Sequence, residues 1–171
     1  DPGTHAAETL AERSAGVRKP GHLGIVSIHW GSNWGYEVPE AHRRFAHALV
    51  DSGQVAVVHG HSSHHPRPAE VYRDRLILYG CGDFLNDYEG IRGHEAFRSW
   101  LAGMYFVDLD REGRLLGLAL TPMTIRRFRL ERAAAEEVAW LRAVLSHESG
   151  SFGLRFVPME GERLRAVPIP S

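Results

Sequence analysis

Residues 55–66 read Val-Ala-Val-Val-His-Gly-His-Ser-Ser-His-His-Pro, an apolar run that passes directly into a histidine-rich loop. A second apolar run, residues 24–28, ends upstream in His29-Trp30-Gly31. Continuous apolar runs of this length predict buried parallel strands. Residues 39–52 between them predict a helix with Pro39 in its first turn. Together they predict a βαβ unit with a right-handed crossover, whose two strands each deliver histidine at the carboxyl end.

The rest of the chain predicts two further helices and mostly antiparallel strands. The helices are expected over residues 4–16 and 133–147, the second with Val138, Leu141 and Leu145 on one face. The strands are expected as the hairpins 69–72/76–79, 104–109/115–120 and 155–159/163–167, and as a single strand over 125–130. We therefore predict one α/β domain over residues 1–171, in which a βαβ unit precedes mostly antiparallel strands and one long helix.

Composition excludes several classes of protein. Of the 171 residues 43% are hydrophobic and 24% are charged, which is ordinary for a globular domain. The formal net charge of -1 gives no general attraction to nucleic acid or acidic membranes. Cys81 is the only cysteine, so neither an intrachain disulfide nor a thiolate zinc site can form. No apolar run reaches the length of a membrane span, and the compartment stays open between cytoplasm and cell envelope.

The histidines at the strand ends predict a metal site. Neutral imidazole is a common ligand of Zn²⁺, Mn²⁺ and Fe²⁺, and His61 and His64 are three residues apart on a tight loop, with His29 on the neighbouring strand. These three side chains could form a mononuclear zinc site complete within the chain. A dinuclear hydrolase would also need carboxylates to bridge its metals. The competing interpretation is that each is an ordinary surface or hydrogen-bonded histidine.

Four neighbours could support such a site. His59 and His65 flank the candidate ligands and are interpreted either as hydrogen-bonding partners of them or as ordinary loop residues. Arg67 could clamp an anionic substrate through its planar fork, or be a solvated loop arginine. Glu70 could orient a metal-bound histidine, or be a plain strand-edge glutamate.

The glycine-rich loop over residues 80–90 is the second candidate region. Its glycines permit tight backbone turns near a ligand. Asp83, Asn86, Asp87 and Glu89 offer oxygen ligands there, although their spacing is not that of an EF-hand.

Four motifs in order carry a resemblance to a known family. They are His29-Trp30-Gly31, then Gly60-His61-Ser62-Ser63-His64, then Pro68-Ala69-Glu70-Val71-Tyr72, and Tyr79-Gly80-Cys81-Gly82-Asp83-Phe84. They resemble the poly-γ-glutamate capsule-synthesis (CapA-like) family, a branch of the calcineurin-like metallophosphoesterases, whose members read HWG, GHHPH, PxExY and YSLGNF. GHSSH here keeps only the outer histidines of GHHPH, and GDF replaces GNF, which adds a potential negative charge at Asp83. The resemblance is strong over residues 23–87 and looser towards the C-terminus.

The resemblance implies a fold and a chemistry. The fold would be a four-layer α/β/β/α sandwich of the calcineurin-like type, with metals at the carboxyl ends of strands. His29 and His61 would bind one divalent metal and His64 another, so that the full-length protein would hold two ions of Mn, Fe or Zn. A metal-activated water would be the nucleophile. The catalytic residues stay unknown.

The resemblance also implies a missing portion. The family draws its remaining ligands from an N-terminal half, and nothing before His29 matches that half. We therefore interpret the chain as the C-terminal portion of a CapA-like metallophosphatase domain, with the N-terminal half as its partner, and expect weak metal binding and little or no catalysis from it alone. The leading hypothesis is a metal-dependent hydrolase linked to capsule polymer synthesis, acting on an anionic small molecule or polymer such as a phosphoester or a γ-glutamyl chain. The alternative is a non-catalytic accessory domain in capsule polymer synthesis or export, with vestigial ligands.

Overall fold

The computed structural model describes residues 2–85 and 91–170. Within these ranges the chain forms three α-helices, two short 3₁₀ turns at Glu95–Phe97 and Gly150–Phe152, and nine strands. The helices are α1 (Pro2–Val17), α2 (Glu40–Asp51) and α3 (Ala135–Ser149). The strands are β1 (Ile25–His29), β2 (Val57–His61), β3 (Ala69–Tyr72), β4 (Arg75–Leu78), β5 (Leu101–Leu109), β6 (Leu115–Arg126), β7 (Arg129–Arg132), β8 (Leu154–Met159) and β9 (Arg163–Pro168).

The first sheet has the strand order β1-β2-β4-β3. β1, β2 and β4 are parallel and β3 is antiparallel to β4, which confirms the predicted βαβ unit and the first hairpin. The prediction that β1 is a fully buried strand was wrong. β1 lies at the end of the described sheet and alternates between exposed and half-buried residues, with Ile25 64% exposed. Its apolar run reflects one face packed against the helices, while the other face opens to a cleft.

The second sheet is antiparallel, with the strand order β5-β6-β9-β8 and with β7 paired to β6. The hairpins β5/β6 and β8/β9 were predicted correctly. The prediction of a single strand over residues 125–130 was wrong, because β6 continues to Arg126 and β7 begins at Arg129. Arg127 and Phe128 between them have φ angles of 49° and 58°. Two consecutive positive φ angles are what a tight two-residue hairpin requires.

Two apolar clusters hold the layers together. One lies between the first sheet and the helices α1 and α2, and includes Val58, Ile77 and Leu49. The other joins the inner faces of both sheets to α3, whose Val138, Leu141 and Leu145 are buried as predicted. On α2 Ala41 is exposed, whereas Ala46 and Val50 are buried. The architecture is an α/β sandwich, which confirms the predicted fold class.

The two sheets enclose a cleft of about 540 Å³ at the side formed by β1 and β5. Apolar side chains line most of it, and His59 and His61 are its two histidines. On the opposite side α3 packs against β8 and contacts β3 and β6. Of the candidate metal ligands, His61 therefore lies where the sandwich is open.

Leu120 tests whether the two-sheet core carries the stability of the fold. It is fully buried on β6 between the sheets, whereas Leu116 on the same strand is 71% exposed. We expect Leu120→Ala to lower the free energy of unfolding by about 2–5 kcal/mol, through lost burial and the cavity left behind. Leu116→Ala is the matched control, with an expected change within about 0.5 kcal/mol in denaturant titrations. Similar losses for both variants would refute this assignment of the core.

Candidate metal centre

His29 and His61 are neighbours across the parallel pair β1/β2. They occupy equivalent positions in the register, each as the last residue of its strand. Their ring centroids are 5.2 Å apart and the rings are nearly perpendicular, at 71°. Two imidazoles at this separation, on the carboxyl ends of adjacent strands, can present nitrogen atoms to one cation.

Close packing beside this pair fixes both strand ends. A Cβ atom on Gly60 would overlap the Trp30 indole nitrogen and the backbone oxygens of Leu78 and Tyr79, so only glycine fits there. The Trp30 indole donates a hydrogen bond of 3.0 Å to the Tyr79 carbonyl, and its backbone N–H donates one of 3.0 Å to the His61 carbonyl. The strand ends are thus tied to each other and to the segment after β4.

His64 stands apart from that pair and has its own carboxylate. Its Nδ1 lies 2.9 Å from an Asp83 oxygen, and the two side chains are only 16% and 19% exposed. Its backbone N–H donates to the Asn33 carbonyl at 3.0 Å, and its ring lies beside Trp34. A carboxylate on one imidazole nitrogen fixes the ring orientation, which is how metal-binding histidines are commonly held. Asp83 therefore lies where a partner of a ligand histidine belongs.

The three histidines do not converge on one point. In the two described ranges, no group of three or more His, Cys, Asp or Glu side chains is arranged to hold a metal ion. A mononuclear three-histidine site is therefore absent there, and the division of His29, His61 and His64 between two metals stays what the resemblance implies. The ligand roles themselves stay a prediction. Asn86, Asp87 and Glu89, expected as oxygen ligands, lie outside the described residues.

His59 lies on the same face of β2 as His61, with ring centroids 5.8 Å apart. Its Nδ1 is 3.0 Å from the Ser27 hydroxyl. Burial, and next the nearby His61, lower the pKa of His59. Neutral imidazole therefore predominates at His59 at neutral pH. His59 thus lies beside His61, while a role in orienting a metal ligand stays a prediction.

His65 is fully buried in an aromatic cage rather than exposed in a loop. Its ring stacks on Phe97 at 4.6 Å and meets Tyr36 edge-on at 4.7 Å. Its Nδ1 is 3.1 Å from the Pro66 carbonyl, and its buried Nε2 has no hydrogen-bond partner within residues 2–85 and 91–170. Burial lowers the pKa of His65 to about 4, although the Pro66 carbonyl opposes the shift. These contacts make His65 part of the wall behind His64.

Glu70 was interpreted either as a carboxylate that orients a metal-bound histidine or as a plain strand-edge glutamate, and its contacts fit neither. It is buried, accepts a 2.5 Å hydrogen bond from the Tyr79 hydroxyl and lies 3.0 Å from Nε2 of His47. The Arg43 guanidinium is 3.7 Å away. Burial, followed by this carboxylate, raises the pKa of Tyr79. Glu70 thus joins β3 to α2, and among the described residues it orients none of the three candidate ligands.

Arg67 is also not a solvated loop residue, because it is only 4% exposed. Its Nη2 donates to the Ser32 hydroxyl at 2.9 Å and to the Trp34 carbonyl at 3.3 Å. Sequence reasoning did not anticipate that Gly31 to Trp34 would cover this guanidinium. The available signal was the Gly-Ser-Asn sequence after Trp30, which is typical of a tight loop.

Comparison with known proteins places these residues in a family. The family model described as "Bacterial capsule synthesis protein PGA_cap" matches residues 2–88, which include His29, His61 and His64. A Mycobacterium tuberculosis protein named "Probable polyglutamine synthesis accessory protein" is 48% identical over 164 residues, 95% of this chain and 42% of that protein. The "PGA biosynthesis protein CapA" of Bacillus subtilis is 33% identical over 71 residues, 42% of this chain and 18% of that protein. The "Capsule biosynthesis protein CapA" of Bacillus anthracis is 32% identical over 65 residues, 38% and 16% of the two chains.

The fold and the strand-end histidines define an α/β sandwich with a candidate metal edge. The chain belongs to the bacterial capsule synthesis protein PGA_cap family, which confirms the CapA-like resemblance. It spans 42% of the length of its mycobacterial relatives. None of the helices in the described part of the chain is long and apolar enough to cross a membrane.

Ser62, between His61 and His64, has a strained backbone with a φ of 127°. Its hydroxyl donates to the Gly31 carbonyl at 3.2 Å and to Asn33 Oδ1 at 3.5 Å. A non-glycine residue held in a sparsely populated conformation costs about 1–3 kcal/mol.

Substitutions at this position measure that strain. Ser62→Ala removes the hydroxyl and keeps the strain, whereas Ser62→Gly removes both. We expect Ser62→Gly to be more stable than Ser62→Ala by about 1–3 kcal/mol in chemical denaturation. Equal stability of the two variants would show that Ser62 is not strained.

Proposed function

We propose that this protein is a metal-dependent hydrolase of capsule polymer synthesis, in which His29 and His61 bind one divalent cation and His64 binds a second. The observation that supports this most is the in-register pairing of His29 with His61, with ring centroids 5.2 Å apart. The Asp83 carboxylate, 2.9 Å from Nδ1 of His64, supports the second part.

The donor atoms of this edge suit a borderline metal such as Mn, Fe or Zn. Imidazole nitrogens are favoured ligands of these ions and must be neutral to bind them. Asp83 would hold the proton of His64 on Nδ1 and so make Nε2 the donor atom. When bound, the cation supplies Lewis acidity to the site.

The chain supplies part of such a site. The described residues contain no cluster of three or more ligand side chains, and the chain spans 42% of the length of its mycobacterial relatives. We propose that the remaining ligands, including the carboxylates that balance two metal charges, come from other parts of the full-length protein. The open cleft beside His59 and His61 leaves room for them.

The substrate we propose is anionic, either a phosphoester or a γ-glutamyl polymer. Relatives of this chain are named for polyglutamine synthesis and for PGA biosynthesis. A polymer reaching the β1/β5 side would lie beside His59 and His61, and any bound cations would attract its negative groups.

A non-catalytic accessory role is the second candidate. One observation favours it: the mycobacterial relative, 48% identical, is itself named an accessory protein. The two proposals differ in whether the bound cation turns over a substrate, so a hydrolysis assay of the metal-loaded full-length protein separates them.

Metal content tests the ligand pair. Full-length protein loaded with Mn²⁺ or Zn²⁺ is expected to retain the cation, and His61→Ala and His29→Ala are each expected to lose it, since each removes an inner ligand. The exposed His22 gives the control variant His22→Ala, which is expected to keep the full content by elemental analysis. Retention of the cation by His61→Ala would refute the assignment.

Asp83→Asn tests the second ligand separately. The amide keeps the size of the carboxylate but not its charge, so we expect the affinity for one of two cations to fall about 10–100-fold by calorimetric titration. Asp74→Asn, at an exposed turn position, is the control and should bind both cations as the parent does. Unchanged affinities in Asp83→Asn would remove Asp83 from the site.

A further inference from the structure

Arg67 is a buried cation without an acidic partner in the described part of the chain. Only 4% of it is exposed, and burial lowers its pKa. Other arginines, such as Arg43, Arg73 and Arg114, pair with carboxylates, whereas the Arg67 guanidinium, among the residues described, donates to the neutral oxygens of Ser32 and Trp34. Because a buried charge without a counter-charge is costly, its retention calls for a role beyond packing.

The Arg67 guanidinium is hydrogen-bonded to the segment of residues 31–34. Residues 31–34 follow the strand that carries His29 and lie between Arg67 and the histidine loop. On the arginine side, this segment accepts both hydrogen bonds of Nη2. On the other side, its Gly31 and Asn33 carbonyls accept hydrogen bonds from the Ser62 hydroxyl and the His64 N–H. A shift of the segment would therefore move His64 relative to His29.

Two motif glycines make room for this arginine. A Cβ on Gly31, whose φ is 78°, would lie 3.1 Å from Nη1 of Arg67. A Cβ on Gly80 would lie 2.9 Å from the Arg67 Cδ, and the Gly80 carbonyl accepts the Arg67 backbone N–H at 2.8 Å. The HWG and YGCGDF motifs thus each include a glycine whose lack of a side chain accommodates Arg67.

We propose that Arg67 is a positioning residue that locks residues 31–34 and thereby sets the separation between the His29–His61 pair and His64. The proposal rests on the function proposed above for these histidines as metal ligands. It replaces the interpretation of Arg67 as a clamp on substrate, because the segment itself covers the guanidinium. Lysine cannot substitute fully, since its flexible ammonium lacks the rigid plane that fixes the direction of the two Nη2 hydrogen bonds.

The test uses full-length protein with Arg67→Met and Arg67→Lys, and with Arg155→Met as a control on the exposed side of β8. Two properties are measured after thermal unfolding has shown that each variant folds. One is the affinity for Mn²⁺. The other is acrylamide quenching of Trp34 emission, obtained by subtracting the signal of matched Trp34→Phe proteins.

We expect Arg67→Met to lower the Mn²⁺ affinity at least about tenfold and to increase Trp34 quenching, with partial recovery in Arg67→Lys. Arg155→Met should change neither. A folded Arg67→Met with unchanged affinity and quenching would overturn the proposal. The proposal would also be overturned if inorganic phosphate protected the parent from thermal unfolding but did not protect Arg67→Met. Arg67 would then bind an anion.

Two further outcomes of this test lead to different conclusions. If the parent binds no Mn²⁺, the proposed function fails, and Trp34 quenching alone still decides whether Arg67 holds the segment. If Arg67→Met does not fold, Ser32→Ala replaces it, because this change removes one acceptor at an exposed position. Ser32→Ala is then expected to increase Trp34 quenching, and no increase would overturn the proposal.

Discussion

The in-register pairing of β1 with β2 is the constraint on which the rest of the candidate site depends. Because side chains alternate along a strand, a slip of one residue would turn His29 away from His61 and exchange the two faces of β1. Gly60 and Trp30 prevent such a slip, since any side chain at position 60 would collide with the indole. The geometry of the site is therefore decided by backbone packing, before the chemistry of the histidines is considered.

The fold was largely predictable wherever the signal was local. The βαβ unit, three hairpins and α3 follow from apolar runs, periodicity and turn residues, and each of these patterns is defined by only a few neighbouring residues. Two features did not follow. The exposure of one face of β1 depends on how far the second sheet extends. The turn at Arg127 and Phe128 has positive φ angles but contains neither glycine nor asparagine, the residues that would have predicted them.

The sequence singles out the candidate ligands of the site, but it says less about the contacts that surround them. His29, His61 and His64 stand out because they follow apolar runs and match family motifs, and the pairing of His64 with Asp83 agrees with an acidic residue near the site. The partner of Glu70 and the burial of Arg67 could not be predicted, because each depends on an element distant in sequence: α2 for Glu70 and residues 31–34 for Arg67. Sequence shows that a charged residue is present, and tertiary structure decides what it faces.

The position of β1 at the edge of the described sheet also bears on how this 171-residue chain behaves at high concentration. Its sequence, Ile-Val-Ser-Ile-His, contains no lysine, proline or acidic residue, the devices by which exposed sheet edges commonly avoid pairing with another chain. Such an edge is a template for strand addition and therefore for aggregation. Ile25, already 64% exposed, is the position where a lysine would improve colloidal solubility at the least cost in buried apolar surface.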